Sequence, residues 1–131
     1  MHRRRRSVVA FAAVLVPLAG CGDLSGQDVE EVASAFADAS GDPEERCALL
    51  AENTLSTLEQ EEGEPCADAL EQLPVGAGEL MSVEVWGEEA QAKLADDTLF
   101  LTHTSGGWRI AAAACTPQGP EEPYDCQVEG S

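Results

Sequence analysis

Met81-Ser-Val-Glu-Val-Trp86, Ala90-Gln-Ala-Lys-Leu94, Thr98-Leu-Phe-Leu-Thr-His-Thr104 and Trp108-Arg-Ile-Ala-Ala-Ala-Ala-Cys115 follow one another with only short breaks. In the first two runs apolar residues recur at every second position. The third is rich in strand formers. Such alternation puts apolar side chains on one face of a half-buried strand. Gly87-Glu88-Glu89, Asp96-Asp97 and Ser105-Gly106-Gly107 supply the turns, and short turns join neighbouring antiparallel strands. The pattern predicts an antiparallel meander of about four strands. By parity, Met81, Val83 and Val85 face the same side as Ala90, Ala92 and Leu94. Trp108, Ile110 and Ala112 share a face of the last strand. Alanines leave room that bulky side chains would fill. The expected cleft is therefore an apolar, sheet-lined hollow marked by Trp86, Trp108, Ile110 and Val83.

Upstream of Gly78 the period is helical. Val29, Val32, Ala33 and Phe36 follow the i, i+3, i+4, i+7 spacing over residues 28–40, with Asp28 and Glu31 as a capping box. Asp42-Pro43-Glu44-Glu45 restarts a helix: a cap, a proline at the first turn, then acids. That helix carries Cys47, Leu49 and Leu50, with a bend expected near Asn53-Thr54 before Leu55 and Leu58. Glu59–Glu64 is expected to be an acidic turn. Pro65 opens a short helix with Cys66, Ala69, Leu70 and Leu73 on one face, and residues 74–78 (PVGAG) form a breaker-rich link. Helices first and strands second give an α+β domain over residues 28–131, with N-terminal helices packed on a curved antiparallel sheet. The tail from Thr116 holds Pro117, Pro120 and Pro123 and is expected to be irregular.

The first twenty residues have a different character. Arg3–Arg6 form a basic segment, and residues 7–19 are apolar, broken by Pro17. The stretch is shorter than the ~20 apolar residues a membrane-spanning helix needs and fits an export signal. Leu18-Ala19-Gly20-Cys21 then looks like a bacterial lipobox. It implies cleavage between Gly20 and Cys21 and a diacylglyceryl group on the Cys21 sulfur. Thiolate nucleophilicity suits thioether formation, and two acyl chains anchor stably where one is marginal. Residues 21–27 would be a lipidated polar tether at the outer face of the cytoplasmic membrane. The general secretory and twin-arginine routes both remain open.

Charge narrows the partners. The chain has 7 Lys+Arg and 25 Asp+Glu. Arg3–Arg6 lie in the leader, which has no acid. The remaining 111 residues keep three cations, Arg46, Lys93 and Arg109, for a net charge of −22. Nucleic acid is excluded as a partner, because phosphate backbones are repelled. Membrane lipid is contacted through the Cys21 anchor, and an envelope protein or a small apolar ligand is the other expected partner.

With Cys21 acylated, four cysteines remain, which allow three pairings. Cys47–Cys66 with Cys115–Cys126 is preferred: the first joins neighbouring helices, the second straps down the tail. Each bridge is worth about 3 kcal/mol. Zinc is disfavoured, since no C-x-x-C is present and His103 is the only histidine after the leader. No calcium loop, phosphate loop, dinucleotide fingerprint or nucleophile elbow occurs, so neither metal nor cofactor is expected. The acids cluster at expected turns and read as solvated.

The strand start Gly106-Gly107-Trp108-Arg109-Ile110, the tail Pro123-Tyr124-Asp125-Cys126, and the segments around Cys47 and Pro65-Cys66 together resemble a group of small actinobacterial lipoproteins. The resemblance spans most of residues 28–128. It implies a cone-shaped, nuclear transport factor 2-like domain outside the cytoplasm, with no catalytic motif to transfer. The expected function is a non-catalytic, membrane-anchored binding or interaction module. The alternative is a small enzyme that uses the cone cavity, with His103 and an acid such as Asp96 or Asp97. On this reading, Cys21→Ala abolishes labelling by a lipid precursor and leaves uncleaved or released chain. Unchanged labelling and membrane fractionation of that variant would remove the anchor.

Overall fold

The computed structural model describes residues 12–14 and 22–131. Cys21, Gly20 and the cleavage point lie outside the described residues. Four helices precede five strands: α1 Gly22–Ala37, α2 Pro43–Ala48, α3 Glu52–Glu62, α4 Cys66–Gln72, then β1 Leu80–Trp86, β2 Glu89–Leu94, β3 Thr98–Thr104, β4 Gly107–Thr116 and β5 Asp125–Glu129. The fold is α+β, with one open antiparallel sheet in the order β1-β2-β3-β4-β5.

The apolar stripe of α1 lies where its spacing demands: Val29, Ala33 and Phe36 are fully buried. The helix begins six residues earlier than Asp28 and covers the stretch expected to be a tether. A helix rises 1.5 Å per residue rather than the ~3.3 Å of extended chain, so Asp28 stands much closer to Gly22 than an extended segment would place it. Asp42 caps α2 by accepting from the Glu44 amide. The bend falls at Leu49–Ala51, not Asn53-Thr54, and its cause is a tertiary contact. The Ala51 amide donates to the Ile110 carbonyl and the Ile110 amide to the Leu49 carbonyl, both at 2.8 Å. β5 pairs with β4 only from Ala112 to Thr116. The Leu49–Ala51 segment thus satisfies the strand edge that β5 leaves open. Glu59–Glu62 prolong α3, and the acidic turn shrinks to Gly63 in the left-handed conformation and Glu64.

Two bulges change the expected parity. Leu80 pairs with Leu94 but Ser82 with Lys93. Met81 is therefore extruded and 67% exposed. Val83 and Val85 do pack against the core, and Ala90, Ala92 and Leu94 are buried in it. In β4, Phe100 pairs with Ala112 and Leu101 with Ile110, leaving Ala111 as the extra residue. A bulge reverses alternation beyond it. Trp108 and Ile110 face the helices, and Ala113 replaces Ala112 on that side.

The tail is not irregular throughout, because β5 forms within it. Val128 pairs with Ala113 and is buried, while Cys126 pairs with Cys115. The Cys115–Cys126 bridge lies within this ladder and ties the tail strand to β4. Both bridges, Cys47–Cys66 and Cys115–Cys126, join the cysteines preferred from the sequence.

The link of residues 74–78 needs glycine at two places. Gly76 and Gly78 have φ of 59° and 91°. A Cβ on Gly76 would meet the Ala37 Cα at 3.1 Å, and one on Gly78 the Ala95 Cβ at 2.8 Å. The close approach brings the Gly76 amide to Asp97, which is buried rather than solvated. Asp97 Oδ1 accepts from the amides of Thr98 (2.7 Å) and Cys115 (2.9 Å), and Oδ2 from those of Gly76 (2.9 Å) and Ala114 (3.0 Å). Asp97→Asn keeps the shape but turns an N–H₂ toward amide donors. It should lower unfolding free energy by about 2–4 kcal/mol, read by denaturant titration. Loss within about 0.5 kcal/mol, the range of ordinary surface substitutions, would show that the four bonds do not hold this corner.

Candidate functional site

The sheet has two faces with different fates. One carries Val83, Val85, Ala90, Ala92, Leu99, Leu101, Trp108 and Ile110, and is covered by helices. The other carries Glu84, Trp86, Glu89, Gln91, Phe100, Thr102, Ala112 and Glu129, by strand alternation and the register across the sheet. Where this second face meets the start of α3 lies a hollow of about 460 Å³. Its floor includes Phe100, Thr102, Ala111 and Ala112. Pro123 and Tyr124 wall one side, Asn53 and Thr54 another, and Glu89 and Glu129 also line it.

Each wall has a local cause. Thr54 Oγ1 donates to the Ala111 carbonyl at 2.8 Å, which fixes α3 against the extra residue of the bulge. The tail returns because Cys126 is bridged to Cys115, and Tyr124 then packs edge-on against Phe100, ring centroids 5.1 Å apart. Alanines at 111 and 112 leave the depth. Small residues and a bulge in β4 did make a hollow, but on the face opposite the one expected.

The sequence-derived cleft residues do not come together there. Trp108 and Ile110 are buried core and Val83 packs against the same core cluster. Trp86 is 55% exposed and stands next to the hollow as the cross-strand partner of Glu89. Phe100, Tyr124 and Glu129, which the sequence reading missed, replace them. The Phe100 position was legible in principle, since it alternates with Leu99 and Leu101.

His103 does not meet Asp96 or Asp97. Its Nδ1 lies 3.0 Å from Glu88 Oε2, with side chains 46% and 77% exposed. Its ring stacks edge-on against Trp108 at 5.1 Å. Asp97 is committed to four backbone amides at the other end of β3. A general base must reach a substrate proton in a pose the site enforces. This exposed hairpin pair stands outside the hollow.

Arg46 also has a defined role. It is buried, donates from Nε to the Phe36 carbonyl at 2.7 Å, and lies 5.4 Å over the Phe36 ring. It caps the carbonyl end of α1. Burial pushes its pKa down from the ordinary value, opposed by the Asp38 charge. The Asp38 carboxyl is held below its ordinary value first by the Ser40 hydroxyl, then by the Ser40 amide. These groups are structural. Among the described residues, no cluster of three or more His, Cys, Asp or Glu could hold a metal ion.

Comparison with family profiles, curated proteins and solved structures finds no match to this chain.

Arg46 and His103 should separate cleanly in a thermal or chemical melt. Arg46→Met strands the buried Phe36 carbonyl and should lower stability by about 1–3 kcal/mol, whereas His103→Ala removes an exposed pair worth under about 1 kcal/mol. Equal losses would contradict the structural role given to Arg46.

Proposed function

We propose that the chain is the precursor of a lipoprotein, anchored through Cys21 at the outer face of the cytoplasmic membrane. Its domain is a non-catalytic binding or interaction module. A basic segment, a short apolar run and a lipobox occur in that order in residues 1–21 and support the address. The α+β order and helix-covered sheet also fit the cone-shaped, nuclear transport factor 2-like lipoproteins that the sequence resembles. That kinship is part of the proposal. α1 begins at Gly22, which on this reading sets the domain directly beside the anchor.

The single observation that carries the module reading is the hollow over Phe100, Ala112 and Tyr124. Its volume lies within the range of small-molecule sites, which are concave and mostly apolar with a few polar groups. One geometry favours the enzymatic rival: the 3.0 Å approach of His103 to Glu88. That pair is solvent-facing and does not line the hollow.

Photocrosslinking in intact cells tests the module. A benzophenone side chain at Thr102 should give a discrete adduct, with a bound molecule or an envelope protein. The same group at Glu45, on α2, should give none. Adducts of equal yield from both positions, or a measurable turnover abolished by His103→Ala, would overturn this reading.

A further inference from the structure

We propose that the hollow takes a small organic monocation with an apolar body, an alkyl or aryl ammonium. This rests on the module reading above and gives its ligand a chemical class. The apolar part has a defined bed. Phe100 and Ala112 are cross-strand partners on the floor, Tyr124 leans on Phe100, and Pro123 closes the side. A volume of about 460 Å³ admits a body of roughly one ring and a short chain, at the low end of ligand sites.

Charge selects the sign. Glu89 and Glu129 line the hollow, and among the described residues no Lys, Arg or His does. Among the described residues neither carboxylate forms an ion pair. Thr102 Oγ1 donates to Glu89 Oε1 at 3.2 Å, which orients that carboxylate without neutralising it. Two cations share the sheet face and neither answers the acids. Arg109 Nη1 donates to the Trp108 carbonyl at 2.9 Å. Its Nη2 lies 3.3 Å from where a Gly106 Cβ would stand, so the guanidinium folds over its own hairpin turn. Lys93 pairs with Ser82 and Thr98, in the row beyond Phe100.

One feature opposes a cation. The α3 N-terminus borders the hollow, and Ala51 gives it no side-chain cap. That end carries about half a positive charge. Two carboxylates exceed it, and the rim stays net negative. Aromatic faces add to the preference, because their quadrupoles attract cations. Trp86, Phe100 and Tyr124 supply three such rings around Glu89 and the floor. An anionic or neutral guest of the same shape would gain the apolar contacts and lose, or reverse, the electrostatic ones.

Three probes that share a phenethyl body and differ in the charge of the head group test this on the purified protein with disulfides intact: phenethylammonium, 2-phenylethanol and 3-phenylpropionate. Binding is read from amide shifts of Phe100, Thr102 and Tyr124 in ¹⁵N-labelled protein. Phenethylammonium should shift these amides saturably, and more weakly as salt is raised. The alcohol should bind several-fold more weakly and the carboxylate weakest. Glu89→Gln and Glu129→Gln should each weaken phenethylammonium binding by about two- to fivefold, with Glu45→Gln unchanged. If the alcohol binds as tightly as the ammonium and the glutamine variants bind alike, the cation assignment is overturned while a binding module remains. If none of the three probes shifts the amides lining the hollow, the hollow is no ligand site. In that case the cation proposal and the observation supporting the module both fall.

Discussion

The corner where the link, β3 and β4 meet depends on one carboxylate. Asp97 draws together four amides from three segments: Gly76 of the link, Thr98 at the start of β3, and Ala114 and Cys115 near the end of β4. A buried amide without an acceptor costs about 1–3 kcal/mol, so these segments can meet away from water only if something accepts from all four. The arrangement also permits an unusual backbone. Ala114 has φ of 53°, a left-handed conformation that alanine seldom adopts. There the Ala114 amide turns to Asp97. Cys115, the next residue, then faces Cys126 across the ladder. The tail strand, and with it the Tyr124 wall of the hollow, follows from that placement.

A second constraint works at the opposite end of β4. The strand is longer than its partner β5, and an open edge invites unwanted pairing. Leu49–Ala51 covers it with two backbone bonds at Ile110, while Thr54 satisfies the carbonyl of the bulged Ala111. This contact is why one expected helix becomes two. It also ties helices to sheet through hydrogen bonds as well as apolar burial. That matters in a domain so acidic, where self-repulsion opposes compaction. Arg46, one of only three Lys or Arg residues beyond Arg6, works inside the fold, closing α1 at the Phe36 carbonyl.

Local periodicity made much of this legible. Val29, Ala33 and Phe36 on α1 and Cys66, Ala69 and Leu70 on α4 follow from spacing, and strands β1 to β4 from alternation, strand-forming composition and turn signals, although two bulges shift which residues are buried. The cysteine pairing followed from which elements are neighbours. What escaped was long-range or off-period. Bulges at Met81 and Ala111 are single-residue insertions that leave no composition signal, yet each exchanges the two faces of a strand beyond it. Asp97 looks in sequence like half of a solvated Asp-Asp turn; only Gly76 and Ala114, distant in the chain, make it a buried acceptor. β5 is five residues that follow three prolines, and a short segment of that kind gives a weak local signal. The hollow combines three of these features, so its location could not be read even though its alanines could.

The bulge at Ala111 explains why the site lies on the open face. Before it, β4 sends Trp108 and Ile110 into the helix-covered core. Beyond it, Ala113 keeps that role and Ala112 points away, beneath Phe100 and between β3 and β5. The same residue that would have been a small core alanine becomes the floor of a surface hollow. Its neighbours there are free of the core's requirement to be apolar. Carboxylates can therefore stand at Glu89 and Glu129 without a desolvation penalty, beside aromatic rings that the bridged tail brings over the sheet. A covered sheet face could not combine those groups at tolerable cost, because burying two unpaired carboxylates would oppose folding. Separation of the two faces lets one side of the sheet stabilise the fold while the other remains chemically available.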